Sequence, residues 1–129
     1  MRQDKIISMI GLATRAGKTA SGEFMTEKSV KGNQAYLVIV AADASGNTRK
    51  MFRNVCTYYK VPLYIYGTKE MLGHGMGKES RASLAVIDKN FADTIIKRLI
   101  MIGIVEEKTV QGEKIVTGEW NREENGGSK

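Results

Sequence analysis

The chain of 129 residues contains one cysteine, one histidine, one proline and one tryptophan, and only 7% of its residues are aromatic. A lone Cys56 excludes an internal disulfide, and together with a lone His74 it cannot supply the clustered sulfur and imidazole ligands of a zinc site. A reducing compartment suits such a chain. No apolar run approaches the roughly 20 residues of a membrane-spanning helix, and the N-terminus shows no signal-peptide pattern, so the expectation is a soluble protein kept in the cytoplasm, without membrane contact. Aromatics are few, and Tyr58, Tyr59, Tyr64 and Tyr66 fall inside regular elements and are not spaced as platforms, which argues against a binder that stacks single strands across a sheet.

A catalytic constellation is also missing. His74 lies between two glycines with no nucleophile or carboxylate to pair with, and Cys56 falls on the apolar side of a helical pattern. Asp43 and Asp88 each follow a strand pattern and precede a helical one, so helix capping accounts for both. No enzymatic activity, metal or cofactor is expected.

What the chain does have is positive charge, net +6 with a pI near 9.5. Lys and Arg outnumber Asp and Glu by 10 to 4 over residues 1–60 and by 6 to 4 over 61–100, then fall behind, 4 to 6, over 101–129. The excess is therefore a property of the first half. It fits either a solvated basic surface or an acidic partner such as nucleic acid.

Gly17-Lys18-Thr19 invites comparison with a phosphate-binding loop. Five residues separate Gly11 from Gly17 where the phosphate loop needs four, and the preceding segment reads as a helix, not a strand. Ile6, Ile7, Ile10, Leu12 and Ala13 recur at helical intervals behind Asp4, and Gly17 then serves as the helix stop.

A short extended piece, 18–20, leads to Ser21 as the expected N-cap of a second helix, about 22–31, stopped by Gly32-Asn33. The apolar run Ala35 to Ala42 reads as a strand covered on both faces. Asp43 or Ser45 caps a third helix with Met51, Phe52, Val55, Cys56 and Tyr59 inward and Arg49, Lys50 and Arg53 outward, ended by Pro62. A strand at 63–66 follows, then a short helix from Thr68 through Leu72, a loop Gly73-His74-Gly75-Met76-Gly77, a buried strand at 83–87, and a last helix capped by Asp88 and carrying Phe91, Ile95, Leu99 and Ile102. Strands alternating with helices predict an α/β fold, a three-layer α/β/α sandwich around a small mixed sheet. The domain is expected to span residues 1–102, with 103–129 a polar, flexible tail holding at most a weak hairpin near Gln111-Gly112.

Arg15, Lys18, Lys28 and Lys31 gather around the first two helix junctions, and the helix starting at Ser21-Gly22 offers free amides to a phosphate. The blocks Gly11-Leu-Ala-Thr-Arg-Ala-Gly-Lys-Thr-Ala-Ser-Gly-Glu23, Leu37-Val-Ile-Val-Ala-Ala-Asp43-Ala-Ser, Asn47-Thr, Tyr59-Lys-Val-Pro62, Thr68-Lys-Glu-Met-Leu-Gly73, Gly77-Lys-Glu79 and Ser83-Leu-Ala-Val86 resemble, in order, the kink-turn RNA-binding ribosomal-protein family in its small bacterial YlxQ-like branch. The resemblance covers about residues 3–101. It implies a non-enzymatic RNA binder that takes a sharply bent RNA at tandem G·A pairs; the expected partner is ribosomal RNA or another structured RNA, the expected setting translation, and the expected state a monomer.

In that family the helix at the position of Gly22 enters the major groove, and an apolar loop covers an extruded nucleotide. By position, Gly22 and Lys28 match the glycine and lysine of the family's recognition segment, and the loop is Lys78, Glu79, Ser80, Arg81 and Ala82, running to Ser83; with the charges and the helix start named above, the RNA-binding candidates also include Arg15, Lys18, Ser21, Glu23 and Lys31. One departure stands out: Phe24 and Met25 occupy the place of the Asn-Glu pair that faces the guanines, and neither can hydrogen-bond a base edge. A protein-interaction module on the same fold, with little RNA specificity, is the alternative reading.

Overall fold

Residues 4–108 are described by a computed structural model, in the order α1 (Lys5–Arg15), β1 (Thr19–Ser21), α2 (Glu23–Lys31), β2 (Leu37–Val40), α3 (Gly46–Tyr59), β3 (Leu63–Ile65), α4 (Lys69–Gly75), β4 (Ser83–Val86) and α5 (Lys89–Met101). The sheet has the order β1-β4-β2-β3. β1 and β2 flank β4 antiparallel to it, and β3 lies parallel to β2. The two central strands are buried along their whole length, as the unbroken apolar runs require. α2 packs on α3 and α1 packs on α4 and α5, so helical layers enclose the sheet as the three-layer α/β/α arrangement predicts.

Local chemistry sets most boundaries. Asp4, Ser45, Thr68 and Asp88 each accept a first-turn amide of α1, α3, α4 and α5, a contribution of about 1 kcal/mol apiece. Asp4, which accepts the amides of both Ile6 and Ile7, has a third bond, from the Tyr66 hydroxyl at 2.6 Å, which pins α1 to the strand end after β3. Gly17, at φ +74°, closes α1, and Lys18 leads straight into β1, so no helix follows the glycine as a phosphate loop requires. Lys60 in the left-handed region ends α3 two residues before Pro62.

Three details differ from the expectations, and one open alternative is resolved. The N-cap of α2 is Gly22; Ser21 is the last residue of β1 and its hydroxyl is engaged elsewhere. Of the two candidates before α3, Ser45 is the cap, while Asp43 accepts the Lys69 amide at 2.8 Å. α4 does not stop at Leu72 but runs to Gly75, which puts His74 in a last helical turn, not a loop. The glycines there are required by close approach: a Cβ on Gly73 would lie 2.5 Å from Ser80 Cα, and one on Gly75 would lie 2.6 Å from Ile7 Cγ2. Finally, Arg49 and Arg53 are half-buried and only Lys50 of that trio faces solvent freely.

Beyond α5, Ile104 packs against the core and the Glu107 amide donates to the Leu63 carbonyl at 2.7 Å. The expected hairpin near Gln111-Gly112 lies outside the described residues. Among those residues no helix is long and apolar enough to cross a membrane.

Candidate nucleic-acid interface

Three helices begin at one end of the sheet. Val40 at the end of β2 is level with Ser83 at the start of β4 and with Ile65 at the end of β3. The caps of α2, α3 and α4 therefore gather there, and their positive dipole ends with them. Thr48 in the first turn of α3 donates to Glu23 in the first turn of α2 at 3.5 Å, and Asp43 ties the β2 exit to the start of α4.

Gly22 is the sharpest feature of this end. Its backbone, at φ +90° and ψ +157°, is open to glycine alone in practice. It lets the chain turn from β1 into α2 while its own amide donates to the Ser83 carbonyl at 3.1 Å. No side chain caps the helix, so the amides of Glu23, Phe24 and Met25 have no acceptor among the described residues. Such a terminus attracts anions.

The loop 77–82 is seated against the same end. Lys78 donates its amide to Gly73 and Arg81 donates its own to Lys69, while Gly73 lies directly under Ser80. The Arg81 Nε then donates to Ser21 Oγ at 2.9 Å, a bond between residues 60 positions apart. It joins the two segments singled out from sequence into one surface. Arg81 also spends Nη1 on the Ser80 carbonyl, which leaves Nη2 without a protein acceptor among the described residues.

Ser21, Gly22, Glu23, Arg81 and Ala82 are thus brought together, with Lys78, Glu79 and Ser80 exposed on the adjoining loop. Lys28 is exposed on α2 with no ion-pair partner among the described residues. Lys31 stands farther along α2 and is paired with Glu27 at 2.7 Å; that hydrogen bond, then the carboxylate charge, raise its pKa. Arg15 and Lys18 do not join the cluster. β1 separates Lys18 from Gly22 by about 13 Å at ~3.3 Å per residue, which puts both cations toward the opposite end of the sheet, where the Lys18 carbonyl accepts the Ile87 amide.

The expected apolar loop is corrected as well. Its outer residues Lys78, Glu79 and Ser80 are polar and exposed, Ala82 is half-buried, and Ser83 is buried inside β4. The exposed apolar surface of this end lies on helix starts instead, foremost at Phe24 and Met25 of α2, 73% and 46% exposed, with Met71 of α4 less so. Sequence reasoning missed the contribution of α3, whose only signal was the Asn47-Thr48 pair; nothing local says that Thr48 would meet Glu23.

No group of three or more His, Cys, Asp or Glu residues able to hold a metal occurs among the described residues. Cys56 is buried, and burial pushes its thiol up to about 12, far from a reactive thiolate.

A three-layer α/β/α domain with a bare helix N-terminus and a tethered loop at one end of its sheet is a binding scaffold. The chain belongs to the ribosomal protein L7Ae/L30e/S12e/Gadd45 family, which it matches over residues 4–96. It is 42% identical over 91 residues to the RNA-binding protein YlxQ of Bacillus subtilis, covering 70% of this chain and 91% of that one. To the RNA-binding protein YlxQ of Enterococcus faecium it is 36% identical over 90 residues, 70% of this chain and 86% of that one. Among solved structures, a Bacillus halodurans protein of unknown function superposes with a TM-score of 0.72 at 34% identity, covering 74% of this chain and 96% of that one. The 15.5 kD RNA binding protein of Giardia lamblia superposes with a TM-score of 0.67 at 18% identity, covering 79% and 93%, a likeness of fold alone.

Proposed function

We propose that this chain is a non-catalytic RNA-binding protein that grips a sharply bent, structured RNA of the kink-turn kind at the end of the sheet where α2 begins, and that it works in the cytoplasm in association with the ribosome or translation. The observation that carries the reading is the Arg81–Ser21 hydrogen bond, which couples the start of α2 to the 77–82 loop. The names of the YlxQ relatives support RNA as the ligand class.

In this reading the bare amides of α2 and the remaining Arg81 donor take phosphate oxygens, and Lys28 reaches a guanine edge in the groove. Arg15, Lys18 and Lys31 add phosphate contacts outside the centre. The test is a mobility-shift titration over a salt series with a bent, G·A-containing RNA and a plain duplex of equal length. Affinity should fall steeply with salt, and Lys18→Ala should weaken both RNAs alike and lower the salt slope by about one. Lys28→Ala should cost about 1 to 3 kcal/mol on the bent RNA and much less on the duplex. Affinity that ignores salt would defeat the reading.

The exposed Phe24 and Met25 favour a second reading, a protein-interaction module on the same fold. Under it RNA affinity would be weak, without preference between the two RNAs, and indifferent to the loss of any one of these cations.

A further inference from the structure

Phe24 and Met25 are adjacent, in the first turn of α2, and neither is needed for the helix to pack: its buried residues are Thr26, Ser29 and Val30. Leaving Phe24 73% exposed forgoes most of its burial energy. The surroundings of the ring decide what would cover it. Phe24, Glu27, Lys28 and Lys31 stand at i, i+3, i+4 and i+7, a single stripe of the helix. With Gly32 they line an open depression of about 560 Å³. Glu27 is consumed by Lys31, so the cation left over is Lys28, one turn from the ring. On the other side of Phe24 lie the unsatisfied amides of the helix start.

An aromatic face with an uncompensated ammonium one turn away matches a nucleotide. The base covers the ring, its acceptor edge meets the ammonium, and its phosphate falls toward the amides. An apolar protein surface over the same stripe would bury Lys28 without a partner, which is unfavourable. The polar exterior of the 77–82 loop points the same way, because an unpaired base finds no apolar cover there.

We propose that Phe24 is the stacking platform for one unpaired base of the bound RNA, a purine, with guanine favoured because its O6 and N7 both accept from Lys28. This rests on α2 being the helix that grips RNA.

The experiment uses the full chain and a bent RNA with a single-nucleotide bulge, carrying G, A, U, C or an abasic site at the bulge. Wild type should bind G most tightly and the abasic RNA most weakly. Phe24→Ala should weaken the G-bulge RNA about 5- to 150-fold, as loss of one stacked base does, while leaving the abasic RNA unchanged; Phe24→Trp should hold wild-type affinity. Phe24→Leu, which keeps apolar area but has no π face, should resemble Phe24→Ala. A fluorescent 2-aminopurine at the bulge should be quenched by wild type and not by Phe24→Ala. Because the ring is exposed, all three variants should keep the wild-type melting temperature. Wild-type affinity in Phe24→Ala beside a loss in Lys28→Ala would overturn the stacking proposal alone, since RNA would still be bound at α2. Phe24→Leu equal to wild type would replace stacking by plain apolar contact and overturn it too. Absence of RNA binding by wild type at low salt would remove the proposed function itself.

Discussion

Replacing Gly22 by alanine isolates backbone strain from every other effect. A Cβ built on Gly22 has nothing within 4 Å, so the substitution causes no clash, fills no cavity and cuts no packing. Its amide bond to Ser83 uses only the main chain and survives. What remains is the conformation, φ +90° and ψ +157°, which a residue with a Cβ adopts at a cost of about 1 to 3 kcal/mol. Gly46 is the control. A methyl placed on it also meets nothing within 4 Å, but it does not have a positive φ and lies inside α3. There alanine should stabilise by about 0.4 to 1 kcal/mol, through the lower entropy of the unfolded chain. Gly17, at φ +74° and equally open, should fall between them at about 1 to 2 kcal/mol. The assay is urea unfolding followed by circular dichroism, comparing midpoints at equal slope. A loss of 1 to 3 kcal/mol corresponds to roughly 4 to 20 °C in melting temperature for a domain this size. Gly22→Ala within about 0.5 kcal/mol of wild type, or moving with the sign of Gly46→Ala, would refute the strain account.

Gly73→Ala should be destabilising by about 1 to 3 kcal/mol, because the methyl would meet the Cα, N and C atoms of Ser80, which are backbone and cannot swing aside; a urea midpoint equal to wild type would show that the 77–82 loop gives way freely. Alkaline pH should destabilise the fold: burial raises Cys56 from 9.0 to about 12, and burial followed by the Asp4 contact raises Tyr66 from 10.0 to about 12. Both favour the protonated folded form, so their stability is complete below about pH 9 and is lost as pH rises toward 12. Melting temperatures across that window check it, and Tyr66→Phe should flatten the portion above pH 10. Cutting the chain after Lys108 should leave the melting temperature within about 2 °C, whereas cutting after Ile102 removes Ile104 from the core and the Glu107 bond to Leu63 and should lower it by about 4 to 8 °C; equal midpoints for the two truncations would count against a role for residues 103–108.

Elements whose causes are local were legible in the sequence. Asp88 before an amphipathic run, Pro62 after one, and the unbroken Leu37-Val38-Ile39-Val40 run each act within a turn or two of themselves, and the boundaries they predict are close to those found. The end of α4 was not legible for the opposite reason. Gly73, Gly75 and Gly77 look like a loop when only chain flexibility is considered, yet Gly73 and Gly75 are helical glycines chosen by neighbours outside their own helix, Ser80 and Ile7. Only Gly77, at φ +74°, has the turn geometry that the pattern suggested. The cap of α2 misled in the same way: Ser21 has the right chemistry for a cap, but it is held as the last residue of β1 and its hydroxyl serves Arg81.

The candidate site divides along the same line, and the division changes the meaning of its charge. Arg15 and Lys18 looked like neighbours of Gly22 because so few residues intervene, but those residues form a strand, and a strand carries its two ends apart where a helical turn would keep them close. The basic excess of the first half is therefore spread over both ends of the sheet. At the α2 end the signs are mixed, since Glu23, Asp43 and Glu79 are exposed there alongside Lys28 and Lys78. A surface built only to neutralise phosphates would gain nothing from those carboxylates, which repel a polyanion. Carboxylates do accept from the amino groups of bases, and helix amides supply positive potential without a cationic side chain. Mixed charge over gathered helix starts thus suits contact with bases that a bend has opened to the protein, and suits an undistorted duplex poorly. That is the physical reason for reading Phe24, exposed in the middle of this end, as part of the interface and not as a stray apolar residue.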